Sequence, residues 1–184
     1  MKVRLLALCA CVALVTSALN ALEFSVAKDS HIGFKVKKFA VMSVEGSFKE
    51  FSGVLSLDES GNINALQGEV VVNSIFSGDE KRDKHLLEAD FLDAQKFPTM
   101  SLTMLSYTPK STAKDSKQKG KLVGLLNLHG KKKKVEFESA LDTSSHLPKL
   151  DLQGEIDIKD FGIQGSMMNA NKVQIIINTK WQAK

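Results

Sequence analysis

Residues 150–161, LDLQGEIDIKDF, alternate without a break. Leu150, Leu152, Gly154, Ile156 and Ile158 fall on one side, and Asp151, Gln153, Glu155 and Asp157 on the other. Successive side chains of a strand point to opposite faces, so this stretch reads as a strand with one dry and one wet face. The same period recurs along the chain. Ile32, Phe34 and Val36 oppose Lys35 and Lys37 in HIGFKVKKF, and Val173, Ile175 and Ile177 oppose Lys172, Gln174 and Asn178 in NKVQIIINTKW. With GVLSLD, LQGEVVVNSIF, MSLTMLSY, and the pair KLVGLLNLHG and VEFESAL around a HGKKKK turn, about eight strands are predicted.

Polar, glycine-bearing breaks separate them: DESGN (58–62), PKSTAKDSKQKG (109–120), SSHLPK (144–149) and GSMMNAN (165–171). Helical patterns between successive strands, which a parallel α/β fold requires, are absent. Short strands with one apolar face suit an antiparallel barrel or a two-sheet sandwich.

The start of the chain is set apart. Lys2 and Arg4 precede the apolar run LLALCACVALV (5–15) and the small and polar residues TSALNA. This is the three-part pattern of a secretory signal, and the run is too short to span a bilayer. Residues 1–21 are expected to be removed, with cleavage after Ala18 or Ala21 and Ala21 preferred. Residues 22–184 then form one domain, exported to the periplasm or beyond. Cleavage takes away Cys9 and Cys11, the only two cysteines, and with them disulfide, thiolate and cysteine–zinc chemistry. It also removes Lys2 and Arg4, so a net charge of +4 falls to +2. That balance gives no footprint for nucleic acid.

Residues 80–98, EKRDKHLLEADFLDAQKFP, break the strand pattern. Ser77 and Glu80 have capping-box spacing, which predicts a short helix over about 78–88. Asp90 is placed to cap a second turn that Pro98 closes. The segment has too few apolar residues for a core helix and reads as a lid on one end of the barrel.

Signatures of catalysis are missing: no GxSxG, HExxH, phosphate loop or dinucleotide fingerprint occurs. His31, His85, His129 and His146 lack metal-ligand spacing. Arg82, Asp83 and His85 form the best polar cluster, with Asp83 able to orient His85 and Arg82 able to grip an anion. The competing reading is a structural tie between helix and sheet. Lys131–Lys134 suit an acidic partner or anionic headgroups, although charged hairpin tips also guard sheet edges. Ten phenylalanines and several aliphatic stripes fit either a packed core or a barrel holding one guest, and periodicity does not separate the two.

RDKHLLEADFLDAQKFP resembles the signature of the YceI-like family, known for polyisoprenoid binding. SHIGFKVKK, VEGSFKEFSGVLSLD, VNSIFSGDEKRD, GLLNLHGKKKKVEFE and IDIKDFGI resemble its other motifs in the same order. Lys38, Lys159 and Leu92 depart from the family's usual histidine, arginine and second aromatic. The resemblance implies an extended eight-stranded antiparallel lipocalin-like barrel, with a short helix near one end and an apolar tunnel for a long lipid chain.

Tunnel positions implied by strand parity within that barrel are Phe34, Val36, Val44, Phe48, Leu55, Val70, Val72, Leu102, Met104, Leu126, Leu128, Ile156 and Ile158. Phe91 and Phe97 would face the tunnel from the lid, and Arg82 and His85 would meet the head group. The expected ligand is a polyisoprenoid, isoprenoid quinone, fatty acid or fatty amide, with no cofactor, no metal and no reaction. Transient membrane contact and a homodimer are compatible with the resemblance. The rival readings are a lipid-modifying enzyme using Asp83 and His85, and an interaction module recruiting a partner through Lys131–Lys134.

Overall fold

The computed structural model describes residues 21–38, 42–110, 116–164 and 170–184. The expected signal segment, both cysteines, Met167 and Met168 lie outside the described residues. Eleven antiparallel strands form one sheet: β1 (Leu22–Val26), β2 (His31–Lys38), β3 (Met42–Phe48), β4 (Phe51–Leu57), β5 (Ile63–Val71), β6 (Ile75–Phe76), β7 (Thr99–Pro109), β8 (Lys117–Leu128), β9 (Lys131–Asp142), β10 (Lys149–Asp157) and β11 (Lys172–Ala183). One helix, α1 (Glu80–Leu86), and two 3₁₀ turns, Val72–Ser74 and Ile158–Phe161, complete the described elements.

Eight of the strands close into a barrel. The order β1-β4-β5-β7-β8-β9-β10-β11 returns to its start because Phe24–Val26 pair with Trp181–Ala183. The remaining three extend one wall. β2 pairs with Gln174–Asn178 of β11, β3 with β2, and β6 with the end of β3. The barrel expected from the family resemblance is therefore the one observed, lengthened at one end by β2, β3 and β6. Closure removes the free edges of those eight strands, while the extension still ends on β3 and the two-residue β6.

Two local rules set the register. β8 and β9 are joined by His129 and Gly130, both at positive φ (51° and 71°). Two consecutive left-handed residues make a type I′ turn, whose twist matches that of the flanking strands. At Gly130 a side chain would also strike Phe97, whose ring lies 2.5 Å from the position a Cβ would take. The second device is a bulge in β7. Met104 pairs with Gly124 but Ser106 pairs with Val123, leaving Leu105 unpaired and 48 % exposed. One extra residue reverses the parity of everything after it. Tyr107 thereby turns inward opposite Leu122.

The segment 109–120 is less of a loop than its composition predicts. β7 runs to Pro109 and β8 starts at Lys117, and residues 111–115 lie outside the described residues.

Candidate functional site

The inward side chains divide the barrel along its axis. At the end carrying Tyr107 the interior is filled. Leu55, Leu122, Leu141 and Leu150 are fully or almost fully buried, and Phe24, Leu57 and Ile63 pack around them. A polar chain lies across this end. The Tyr107 hydroxyl donates to Gln118 Oε1 at 2.8 Å, Gln118 Nε2 donates to Asn62 Oδ1 at 2.9 Å, and Asn62 Nδ2 donates to Asp58. Gln118 is only 3 % exposed, so its amide stays there because both ends are hydrogen-bonded. Burial pushes the Tyr107 phenol above its usual range. The Ser139 hydroxyl lies near the same phenol outside hydrogen-bond geometry. No Cβ fits at Gly120, where it would sit 2.6 Å from the Tyr107 ring.

Toward α1 the interior opens into an apolar cavity of about 170 Å³. Leu126, Leu128, Ile156, Val173, Ile175 and Ile177 form part of its wall. Phe137, Leu150 and Trp181 reach it from deeper in the barrel. Ser52, Gln67, Glu69 and Ser101 also border it, but they alternate with inward residues along their strands, so their main chain faces it rather than their side chains. An engineered apolar cavity of about 150 Å³ stays dry and takes up benzene. A ring or short alkyl stretch is of a size to enter this one.

The roof is the segment that interrupted the strand pattern. Leu86, Phe91 and Leu92 line the cavity from above. Asp79, rather than Ser77, caps the helix, accepting from the amides of Lys81 and Arg82. A flexible cover would be a poor roof, and this one is fixed at three points. Ser77 is clamped from both sides: Asp83 accepts from its amide at 2.9 Å and from its hydroxyl, while Arg82 donates to its hydroxyl and its carbonyl, each at 2.8 Å. Pro98 O accepts from the Val72 amide at 2.9 Å. The Phe97 ring packs 4.6 Å from that of His129 on the β8–β9 turn. After α1 the chain makes turns held by Leu92 N to Leu86 O and Phe97 N to Asp93 O, and Asp90 caps no second helix.

The site residues named from sequence fall into two groups. Phe34, Phe48, Val70, Phe91, Leu102, Leu126, Leu128, Ile156 and Ile158 line the cavity. Val36, Val44, Leu55 and Val72 are buried in packing away from it, and Met104 and Phe97 are half-buried elsewhere. Arg82 spends its guanidinium on Ser77. His85 is largely exposed, lies edge-on to Phe91 at 4.9 Å, and sits 3.3 Å from Asp90. Asp83 is turned to Ser77, so the Asp83–His85 pair drawn from sequence does not form. Among the described residues, no group of three or more His, Cys, Asp or Glu side chains could hold a metal ion.

Several wall residues escaped the reading of the sequence: Val26, Leu66, Leu152, Val173, Ile177 and Trp181. The strand parity of β10 and β11 carries most of them. Trp181 has a further peculiarity, since its Nε1 is buried without a hydrogen-bond partner.

A closed antiparallel barrel, filled at one end and hollow and apolar beneath a clamped helical roof, is a lipocalin-like fold with space inside it. The chain belongs to the YceI-like domain family, whose model matches residues 25–181. It is 27 % identical over 176 residues to Protein YceI of Salmonella newport (strain SL254), covering 90 % of this chain and 89 % of that one.

Among solved structures it is similar to BcnA of Burkholderia cenocepacia, with a TM-score of 0.71 at 21 % identity over 82 % of this chain and 95 % of that one. The YCEI protein of Campylobacter jejuni superposes with a TM-score of 0.69 at 24 % identity, over 81 % and 91 %. A domain from Saccharophagus degradans, described as polyisoprenoid-binding and implicated in plant cell wall breakdown, gives 0.66 at 14 % identity, over 89 % and 99 %. At these identities the likeness establishes the fold.

Proposed function

We propose that this protein is an exported carrier that holds the hydrocarbon of a long-chain apolar or amphiphilic lipid inside its barrel. The observation that carries this reading is the cavity: its wall is built almost wholly from apolar side chains, and it lies under a roof held by Ser77, by Val72 and by His129 of the β8–β9 turn. The polyisoprenoid-binding description of the Saccharophagus neighbour supports a lipid guest. The signal-like first 21 residues support export, and hence a need to shield such a molecule from water.

Energetics favour the same reading. Each methylene taken from water is worth about 0.8 kcal/mol, so a chain of about 20 carbons offers up to roughly 16 kcal/mol gross. Association and ordering bring this toward a micromolar or somewhat tighter affinity. That strength competes with a membrane without trapping the ligand. The nine cavity-lining residues named from sequence, with Trp181 and Ile177, are the proposed binding wall. A binding role is favoured over catalysis by family membership and by the Saccharophagus neighbour.

The experiment is organic extraction of protein purified from its native host, followed by mass spectrometry. A stoichiometric long-chain lipid is expected. Absence of any lipid, together with no uptake of polyisoprenoid, fatty acid or fatty amide by the extracted protein, contradicts the reading.

A further inference from the structure

Strand pairing places two lysines of the Lys131–Lys134 run on the inner face of the barrel. Lys131 pairs with Leu128 and Lys133 with Leu126. Residues directly opposite in an antiparallel pair project to the same face. Leu126 and Leu128 line the cavity, so Lys131 and Lys133 leave from the cavity side of the wall. Lys132 and Lys134, opposite Asn127 and Leu125, leave from the outside.

Inward parity normally means burial, yet all four lysines are exposed. The reason lies in the next strand. β9 and β10 pair only as far as Phe137 and Gly154, after which the chain turns into the 3₁₀ segment Ile158–Phe161. Nothing in β10 pairs with the first residues of β9, and their side chains emerge at the rim. Lys131 runs over Gly162, its Nζ being 2.7 Å from where a Cβ of that residue would sit. Ile158 and Ile163, on either side of this turn, line the cavity. Lys131 therefore stands at the rim, beside the turn that carries two wall residues, and Lys133 leaves from the same face of β9.

Among the described residues their charges meet no carboxylate. Seven other lysines, at 35, 110, 117, 121, 172, 180 and 184, lie within 4 Å of a carboxylate. Among the described residues, Lys131 and Lys133 have no such partner.

Resting on the reading of the barrel as a lipid holder, we propose that Lys131 and Lys133 form the head-group site for an anionic single-chain amphiphile, carboxylate or phosphate, whose hydrocarbon lies in the cavity. The inner pair gives the ligand a charge preference that the apolar wall by itself lacks.

The test measures binding of dodecanoate, dodecyl phosphate and dodecanol by the change in Trp181 emission, with the same chain under three head groups. At low salt the unaltered protein is expected to bind the anions about tenfold tighter than the alcohol, the sum of two exposed charge pairs, and the margin shrinks as salt is added. The double variant Lys131→Gln, Lys133→Gln loses that margin and keeps its alcohol affinity. The control Lys132→Gln, Lys134→Gln, with equal net charge and the outer pair removed, keeps the margin. Preference for only one of the anions supports the site and names its head group. Equal binding of anions and alcohol overturns this proposal and leaves the lipid holder standing, as does equal loss in both double variants. Failure of all three to bind, by calorimetry as well as emission, overturns both.

Discussion

At the end of the barrel carrying Tyr107 and Gln118 the inward side chains meet across the axis, whereas beneath α1 inward side chains from the same kind of strand leave about 170 Å³ empty. The difference does not come from hydrophobicity, since leucine, isoleucine and phenylalanine dominate both halves. Local devices mark the two ends. The β7 bulge turns Tyr107 inward and the Tyr107–Gln118–Asn62 chain links β7, β8 and the residue before β5, whereas at the other end β2 and β3 lengthen the wall. Fold and capacity for a guest are thus specified by different residues.

That contrast is open to perturbation. The largest effect is expected from Leu122→Ala at the filled end. Leu122 is wholly buried, and the cavity created there should destabilise the protein by about 2–5 kcal/mol in urea titration. A loss below 1 kcal/mol would mean that this end is also loosely packed. Gln118→Leu comes next, because it leaves the half-buried Tyr107 hydroxyl and Asn62 side-chain carbonyl without their partner; about 1 kcal/mol is expected.

Ile177→Phe in the hollow half should behave in the opposite way. Adding volume to a tight core destabilises by about 1–3 kcal/mol, but here the ring has free space before it, and the loss should stay below about 1 kcal/mol. Lipid affinity should fall about tenfold or more, roughly the loss of two buried methylenes.

The smallest effect is a titration. Tyr107 is the chain's single tyrosine, so tyrosinate absorbance reports it alone. Burial raises its folded pKa above the unfolded value of about 10. The neutral phenol's contribution to stability is therefore complete below about pH 10 and is lost as pH rises through the folded value. An apparent pKa at or below 10 would contradict a buried phenol.

The barrel was largely legible in the sequence because alternation survives almost intact in β2, β9, β10 and β11, and the helix was marked by its charge and by Pro98. Site detail was less legible. Phe34, Leu126 and Ile156 have inward parity and border the cavity, but parity says which face a residue occupies and not how far along the axis the packing is complete. Leu55 and Val36 obey the same alternation and end in solid packing. A bulge leaves no mark in composition, so the inward turn of Tyr107 at the filled end could not be read from the alternation, whereas Met104 keeps its parity and lies beyond the cavity. The polar cluster 82–85 had the right residues for chemistry, but Ser77, five and six positions earlier, takes up Arg82 and Asp83.

The most direct test of the hollow half uses the chain's single tryptophan, Trp181, which is 3 % exposed and lines the cavity. Delipidated protein is titrated with a long-chain amphiphile while tryptophan emission is followed, with Ile177→Phe in parallel. A saturable change at one ligand per protein, weakened about tenfold or more in the filled variant, is the result this account predicts. An emission spectrum that stays fixed throughout, with no heat of binding, would contradict it.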